Sequence, residues 1–515
     1  MSGEPQLESA AAETKSTHTA PSISRNALLA FLAQITTGFF TTVLTLYLLR
    51  ALGSDGYGVF ALAVGIGAVT GVIGDGTSRS AARFLAESRN ARVVVTDLLG
   101  DALRLQCLTG VLVATTLFAA AGAIAAAYDE PALAWPLRVV AVASFAQSVF
   151  LFYTNALGAL AQIAATLRII FFEGLAETVS SIALVMLGAG VVGAALGRAA
   201  GYLVGVLLAA VVVIRMFDRS AVRVIAPSER TQEIARYAVP LVVIGGAYTL
   251  YAQANTLVIG ALLGTAAVGI FAAPMLLTVP LRYLGQSLAV SVAPRQVGKG
   301  SEPGSVEAFQ ASLRWIVVYQ AALLAPLIVW ADPIVGLVFG SEFSESADVL
   351  RVLSFYLFLA GLSPLISTTV DYLGHARQRI PIVVLALVIN VSLDIALLPR
   401  VGVVGAAIAT DVAYALYVPA HFRICRRELG LSMRPVAMTL ARALTAAVSM
   451  GLVLYAVGTD SLSPEAWLLG GTLGVLVYCT ALILTGEITR GEFRTGLGVV
   501  AAAIPRFTPR GPRVP

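Results

Sequence analysis

The sequence predicts an all-α polytopic membrane protein of fourteen transmembrane helices, built as two parallel six-helix repeats, an N-lobe and a C-lobe, with two extra C-terminal helices. Three observations predict it: a composition too apolar for water, fourteen apolar stretches whose connections alternate in positive charge, and motifs that recur about 212 residues apart.

Of the 515 residues, 58% are hydrophobic and 12% charged, with a mean hydropathy of +0.86. Soluble domains carry about a quarter charged residues, so the solvent of this chain is expected to be lipid. The formal charge of +5 comes from 34 basic and 29 acidic side chains, and 32 of the basic ones are Arg. Such an excess reflects loop topology in a membrane protein, and no nucleic-acid partner is expected. Cys107, Cys425 and Cys479, with His18, His375 and His421, form neither a disulfide framework nor a metal-ligand spacing. The first 22 residues are polar and acidic without an apolar core, so a disordered cytoplasmic tail, not a secretory signal, is expected over 1–24.

A bilayer core needs roughly 20 apolar helical residues. Segments 1 to 7 fall at 27–49, 57–74, 105–127, 137–157, 169–187, 191–216 and 237–263. Segments 8 to 14 fall at 266–292, 313–330, 352–370, 380–398, 403–422, 436–457 and 466–485.

Short cytoplasmic connections hold the Arg and Lys. With the N-terminus inside, Arg79, Arg83, Arg89, Arg92 and Arg104 follow segment 2, and Arg215, Arg219, Arg223, Arg230 and Arg236 follow segment 6. Later inner connections carry Arg295, Lys299 and Arg314, then Arg377 and Arg379, then Arg423, Arg426, Arg427 and Arg434, with five arginines from Arg490 onward. Outer connections hold only Arg50, Arg138, Arg351 and Arg400. An even number of spans with both termini inside follows.

The repeat is read from three matches. Gly53, Gly58, Phe60 and Ala61 recur as Gly264, Gly269, Phe271 and Ala272; Leu137-Arg138-Val139 recurs as Leu350-Arg351-Val352; and Gly190, Gly193 and Ala195 recur as Gly402, Gly405 and Ala407. Six spans per repeat give both halves one orientation, as in parallel-repeat transporters. The expected division is a tail at 1–24, an N-lobe at 25–218, a linker at 219–235, a C-lobe at 236–427, segments 13 and 14 at 428–486 and a cytoplasmic tail at 487–515.

The stretch from Leu49 through Gly53, Asp55, Tyr57, Gly58 and Phe60, the exit Asp75-Gly76 followed by Arg79, Arg83 and Phe84, and in the second half Pro294-Arg295 and Phe339-Gly340 with Glu342, Phe343 and Leu350-Arg351 carry a likeness. They resemble the Wzx-type polysaccharide or oligosaccharide flippases of the multidrug/oligosaccharidyl-lipid/polysaccharide exporter superfamily. The resemblance implies a MATE-like fold, two lobes around a central cavity, and alternating access. It implies as cargo a polyprenyl-pyrophosphate-linked glycan moved to the outer leaflet for cell-surface polysaccharide synthesis. It further implies a plasma-membrane location and no enzyme activity or cofactor. Coupling to H+ or Na+ is left open. The expected partners are the bilayer, the lipid-linked glycan and polysaccharide biosynthesis enzymes, with the chain a monomer.

A pyrophosphate crossing lipid needs cations, and the planar guanidinium binds phosphate bidentately while staying protonated. Arg282 is the sharpest candidate, ~18 Å from the inner end of segment 8 at ~1.5 Å per residue, on a helix interrupted by Pro274 and Pro280. The alternative is an ion pair or snorkelling. Arg25 and Arg236 are repeat equivalents at the inner starts of segments 1 and 7, forming either a ring at the mouth or ordinary anchoring. Arg79 and Arg83 at the exit of segment 2 carry the same two readings.

Arg198 and Asp411 sit at similar depth and either pair or line the cavity separately. Glu173 and Glu177, four apart, share a helix face and either bind a proton or Na+ or neutralise Arg168. Asp371, Asn390 and Asp394 form a further polar patch, with Asp394 near the outer end and wet. Arg442 is expected to snorkel. Tyr248, Tyr251 and Tyr283 stack on sugars or serve as packing.

Competing readings are a cation-coupled multidrug exporter, a lipid II flippase, and a membrane glycosyltransferase. The exporter needs an acid in the first lobe's cavity, and segments 1 and 2 offer only Asp55 before Asp75. A transferase needs catalytic carboxylates or histidines on a substantial loop, and no such loop or nucleotide motif is present.

Overall fold

The computed structural model describes residues 20–88, 92–217, 229–296, 304–460, 462–489 and 492. No strand occurs among them. In lipid no water satisfies backbone N–H and C=O groups, so apolar stretches of this length close their hydrogen bonds internally as helices. Segments 1 and 2 lie in α1 (Ala20–Ser88), segment 3 in α2 (Arg92–Ala127), segment 4 in α3 (Ala134–Ala159), segment 5 in α4 (Ile163–Leu184) and segment 6 in α5 (Gly190–Phe217). The second repeat comprises α6 (Glu229–Leu263), the broken pair α7 (Thr265–Met275) and α8 (Thr278–Val292), then α9 (Ser305–Val329), the short α10 (Ala331–Val338), α11 (Ser346–Tyr372), α12 (Ala376–Val401) and α13 (Val404–Leu429). The appended pair is α14 (Met433–Val457) and α15 (Pro464–Leu484).

Among the described residues, ten helical stretches are long and apolar enough to cross a membrane. Two of them, Leu32–Ser88 and Ile163–Phe217, run to 57 and 55 residues and hold two spans each. With α7–α8 and the more polar α13, the fourteen segments each have a helix.

Helices overrun the apolar stretches at the arginine-rich end. Segment 2 continues to Ser88 and segment 3 starts at Arg92. Hydropathy marks where hydrocarbon ends, whereas the helix persists into water on i,i+4 ion pairs such as Arg79–Asp75 and Arg83–Glu87, both 2.9 Å. Segments 1 and 2 are joined without a loop, through Gly53 at φ 69° and ψ −175°.

That conformation suits glycine alone, and it recurs. Gly264, the repeat partner of Gly53, has φ 84° and ψ −178° before α7. Gly190 (φ 51°, ψ −138°) and its partner Gly402 (φ 64°, ψ −151°) match as well. The two repeats therefore agree in local backbone as well as in sequence.

The end opposite the arginine-rich one is closed between the lobes. Arg50 Nε donates to the Val338 carbonyl at 3.0 Å and the Ser54 N–H to Glu342 Oε1 at 3.1 Å. The Thr265 hydroxyl donates to Asp55 and also lies 3.1 Å from Glu130 Oε2. At the arginine-rich end the repeats touch on one side: Ser80 Oγ donates to the Ile234 carbonyl at 2.8 Å, and the Arg83 guanidinium lies 4.3 Å from the Tyr237 ring centroid. On the other side, between the first half of α1 and α8, there is a cavity.

The appended pair is fixed to α9 at three heights. Trp330 Nε1 donates to the Gly458 carbonyl at 3.0 Å, Tyr478 Oη to the Val318 carbonyl at 2.7 Å, and Arg314 Nε to Glu487 Oε1 at 2.9 Å.

Candidate functional site

Arg282 stands in the inter-repeat cavity, about 400 Å³ in volume, lined by Gln34, Thr37 and Thr41 of α1, Ile170 of α4, and Thr278, Tyr283 and Gln286 of α8. The break at Leu276–Leu277 places Arg282 near the start of α8, and its electrostatic neighbours are Tyr356 and Tyr414. Its Nε is buried and has no hydrogen-bond partner among the described residues.

The opposite side of α8 has another character. Leu284 and Leu288, one turn apart, line an apolar groove of about 730 Å³ with Trp315 and Tyr319 of α9 and Met450 and Val475 of the appended pair. A single helix thus separates a polar, cationic chamber from a hydrocarbon-lined trough.

A second polar cavity, about 360 Å³, lies within the first repeat and shares Thr37, Thr41 and Ile170 with the Arg282 cavity. Glu173 and Glu177 face it from α4, Arg198 and Tyr202 from α5. Arg198 Nη1 bonds Glu177 Oε1 at 2.9 Å, and its Nη2 donates to Tyr202 Oη at 2.8 Å. The structure separates the alternatives that the sequence leaves open. Arg198 pairs with Glu177 and not with Asp411, whose Oδ1 instead accepts the Tyr356 N–H at 2.8 Å. Among the described residues no ion pair joins Arg168 to either glutamate, and Glu177 is paired with Arg198 of the neighbouring helix.

The remaining candidates are dispersed. Arg79 and Arg83 are engaged in their own i,i+4 pairs on the surface, and Arg236 is exposed on α6. The side chain of Arg25 lies outside the described residues, as does most of the 219–235 linker. Tyr251 is packed in a cluster with Tyr414 and Tyr417 at centroid distances of 6.0 and 6.1 Å, while Tyr283 lines the cavity. Asp371 pairs with Arg379. Arg442 extends to the end of the appended pair, where its Nη1 lies 3.3 Å from Glu487 Oε2.

Asp394 is not wet. It is 0% exposed, and neither carboxylate oxygen has a hydrogen-bond partner among the described residues. Asn390, one turn away, is 2% exposed, and the nearby helices α6 and α13 are bridged by Asn255 Nδ2 donating to Thr410 Oγ1 at 2.8 Å. Depth along a helix, which the sequence gives, does not reveal whether neighbours cover a side chain. The signal available was an Asn and an Asp at i,i+4 in an otherwise apolar run.

Outside the spans, Glu492 closes the clasp on the appended pair. Arg314 Nη1 binds it at 3.0 Å and the Thr489 N–H and hydroxyl both bind it at 2.9 Å, holding its carboxyl down at about 2 from an ordinary 4.5.

Comparison with known proteins places this geometry. Residues 23–296 match the family model described as polysaccharide biosynthesis protein. A probable low-salt glycan biosynthesis flippase of Haloferax volcanii, Agl15, is 25% identical over 264 residues, covering 50% of this chain and 55% of that protein. An uncharacterised membrane protein of Methanocaldococcus jannaschii is 21% identical over 196 residues, covering 38% and 46%. The chain thus spans about half the length of the curated relatives it matches. Among solved structures, the lipid II flippase MurJ in an inward closed conformation superposes with a TM-score of 0.72 at 13% identity, covering 89% of this chain and 98% of that one. An inward-facing multidrug resistance MATE family transporter gives 0.63 at 16% identity, covering 78% and 98%. An outward-facing one gives 0.54 at 18%, covering 79% and 96%. These likenesses show the fold: the two-lobed architecture of the multidrug/oligosaccharidyl-lipid/polysaccharide superfamily.

Proposed function

The chain belongs to the polysaccharide biosynthesis protein family, and from that premise we propose that it is a flippase that carries a polyprenyl-pyrophosphate-linked glycan from the arginine-rich, cytoplasmic side of the plasma membrane to the outer leaflet by alternating access. The observation that carries this reading is the division of α8, with Arg282, Tyr283 and Gln286 toward the polar cavity and Leu284 and Leu288 toward the apolar groove. A lipid-linked sugar has these two halves. The pyrophosphate meets an intramembrane guanidinium with a free Nε, and the prenyl chain lies against the appended pair. The closed outer end and the gap between α1 and α8 suit loading from the inner leaflet.

Glu173 in the first lobe and Asp394 in the second are the carboxylates that can take up a coupling H+ or Na+. On this reading both termini lie in the cytoplasm, and polysaccharide biosynthesis enzymes are the expected neighbours of a monomeric carrier.

A cation-coupled multidrug exporter is the second reading. It is favoured by one observation, that Glu173 and Glu177 supply from α4 the first-lobe acids that segments 1 and 2 lack. Reconstitution into vesicles with a fluorescent lipid-linked sugar separates the two. Arg282→Ala is expected to abolish translocation with expression unchanged, and normal translocation by that variant would remove Arg282 from the site.

A further inference from the structure

Gln320, in the apolar second half of α9, is 2% exposed. Its Nε2 donates to the Leu281 carbonyl in α8 at 2.7 Å. Room for this amide exists because α11 carries a glycine opposite: a Cβ on Gly361 would lie 1.5 Å from Gln320 Nε2. Beside it the backbones of α8 and α11 meet directly, since a Cβ on Gly285 would lie 2.2 Å from the Gly361 carbonyl oxygen. Three helices are thus held at one point by a side-chain amide and two missing methyl groups.

The first repeat has a related node. Gln106 in α2 donates from Nε2 to the Gly74 carbonyl at 3.0 Å, to the Ser148 carbonyl at 2.9 Å and to Ser148 Oγ at 2.8 Å. Gln106 and Gln320, Gly74 and Gly285, and Ser148 and Gly361 are related by offsets of 214, 211 and 213, those of the internal repeat to within a residue or two. A glutamine node therefore ties the second, third and fourth spans of each repeat together.

One difference between the nodes matters. In the second repeat the accepting carbonyl belongs to the peptide unit that joins Leu281 to Arg282, so its plane carries the Arg282 amide nitrogen. That unit lies in the first turn of α8, just beyond the break at Leu276–Leu277 and after Pro280, where the helix has little of its own ladder to fix its roll. We infer that Gln320 is a positioning residue for Arg282: it fixes the roll of α8 so that the guanidinium projects into the inter-repeat cavity while Leu284 and Leu288 stay on the groove. Gly361 is required for the same purpose, because any side chain there displaces the amide. The inference rests on the reading of Arg282 as the pyrophosphate ligand.

The test measures binding of a long-chain polyprenyl pyrophosphate to the purified full-length protein in nanodiscs, for wild type, Arg282→Ala, Gln320→Leu, Gly361→Ala and Gln106→Leu, with thermal unfolding alongside. Gln320→Leu and Gly361→Ala are expected to weaken binding about tenfold, the cost of a misplaced charge-assisted contact. Gln106→Leu is expected to lower the unfolding temperature comparably yet leave affinity within about twofold, since neither Gly74 nor Ser148, whose carbonyls it holds, adjoins the Arg282 cavity. Wild-type affinity in Arg282→Ala would overturn the pyrophosphate reading itself. Loss in Arg282→Ala with wild-type affinity in Gln320→Leu and Gly361→Ala would overturn the positioning role alone. Equal affinity loss in Gln106→Leu and Gln320→Leu would also overturn it, by tracing the effect to general loosening of the bundle. If Gln320→Leu does not fold, Gln320→Asn, whose amide is one methylene too short to reach Leu281, takes its place with the same expected loss.

Discussion

Gly58 and Gly269, the same position in the two repeats, meet across the closed end of the molecule. A Cβ on Gly58 would lie 1.8 Å from the Thr265 carbonyl oxygen, and one on Gly269 would lie 2.0 Å from that of Ser54, itself the repeat counterpart of Thr265. The contact is reciprocal, so the pseudo-two-fold axis passes between them and the seal is backbone against backbone.

Alanine at either glycine should therefore force the lobes apart by a similar amount. Overpacking of this kind costs about 1–3 kcal/mol. Gly58→Ala and Gly269→Ala should lower the unfolding temperature alike and raise labelling of a cysteine placed at Ser54 from outside. Unchanged labelling in both would show that the seal lies elsewhere.

The Arg198–Glu177 pair sits in a low-dielectric lobe, where removing one partner strands the other. Glu177→Leu alone should destabilise by about 3 kcal/mol, and the double variant Glu177→Leu with Arg198→Leu should recover much of that loss. Additive losses in a double-mutant cycle would show that the two side chains are not coupled.

Asp394, buried with both oxygens unpartnered, should respond to cations. If it takes up Na+, the ion stabilises the folded wild type by about 2.7 kcal/mol at a hundredfold excess over its dissociation constant, K+ does not, and Asp394→Asn removes the difference. Equal melting in Na+ and K+ for the wild type would exclude sodium at this residue and leave a proton as its ligand.

Glu492 gives the clasp on the appended pair a defined acid sensitivity. Its folded pKa, about 2, lies below the ordinary 4.5, so its contribution is fully present above 4.5 and is lost as the pH falls through about 2. Because the side chain is 36% exposed, solvent screens the interaction and the effect is modest. Hydrogen exchange at residues 485–489 should be flat from neutral pH down to about 5, after correction for the intrinsic rate, and rise below about 4. Protection that persists at pH 2 would show that Glu487 alone holds the segment.

The spans were legible because lipid penalises every unpaired backbone group, so length and apolarity suffice to mark them. The repeat was legible because Gly53 and Gly264, and Gly190 and Gly402, hold positive φ that other residues resist. Side-chain pairing was not. Arg198 and Asp411 share a depth, but rotation about each helix axis, fixed by packing between helices, decides that Arg198 meets Glu177 and Asp411 meets the Tyr356 amide. The glutamine nodes escaped for a related reason: Gln106 and Gln320, 214 residues apart, depart from the main offset of about 212 by two residues, and only their contacts reveal them as counterparts.

Since α8 has a polar chamber on one flank and an apolar groove on the other, no straight molecule can occupy both at once. A passenger that does must hook around an end of this rod, whose girth with side chains is about 10 Å. On the proposed function the chain therefore selects for a pliable joint between charge and grease, and a stiff sterol or a short detergent bearing the same phosphates should be a poor rider.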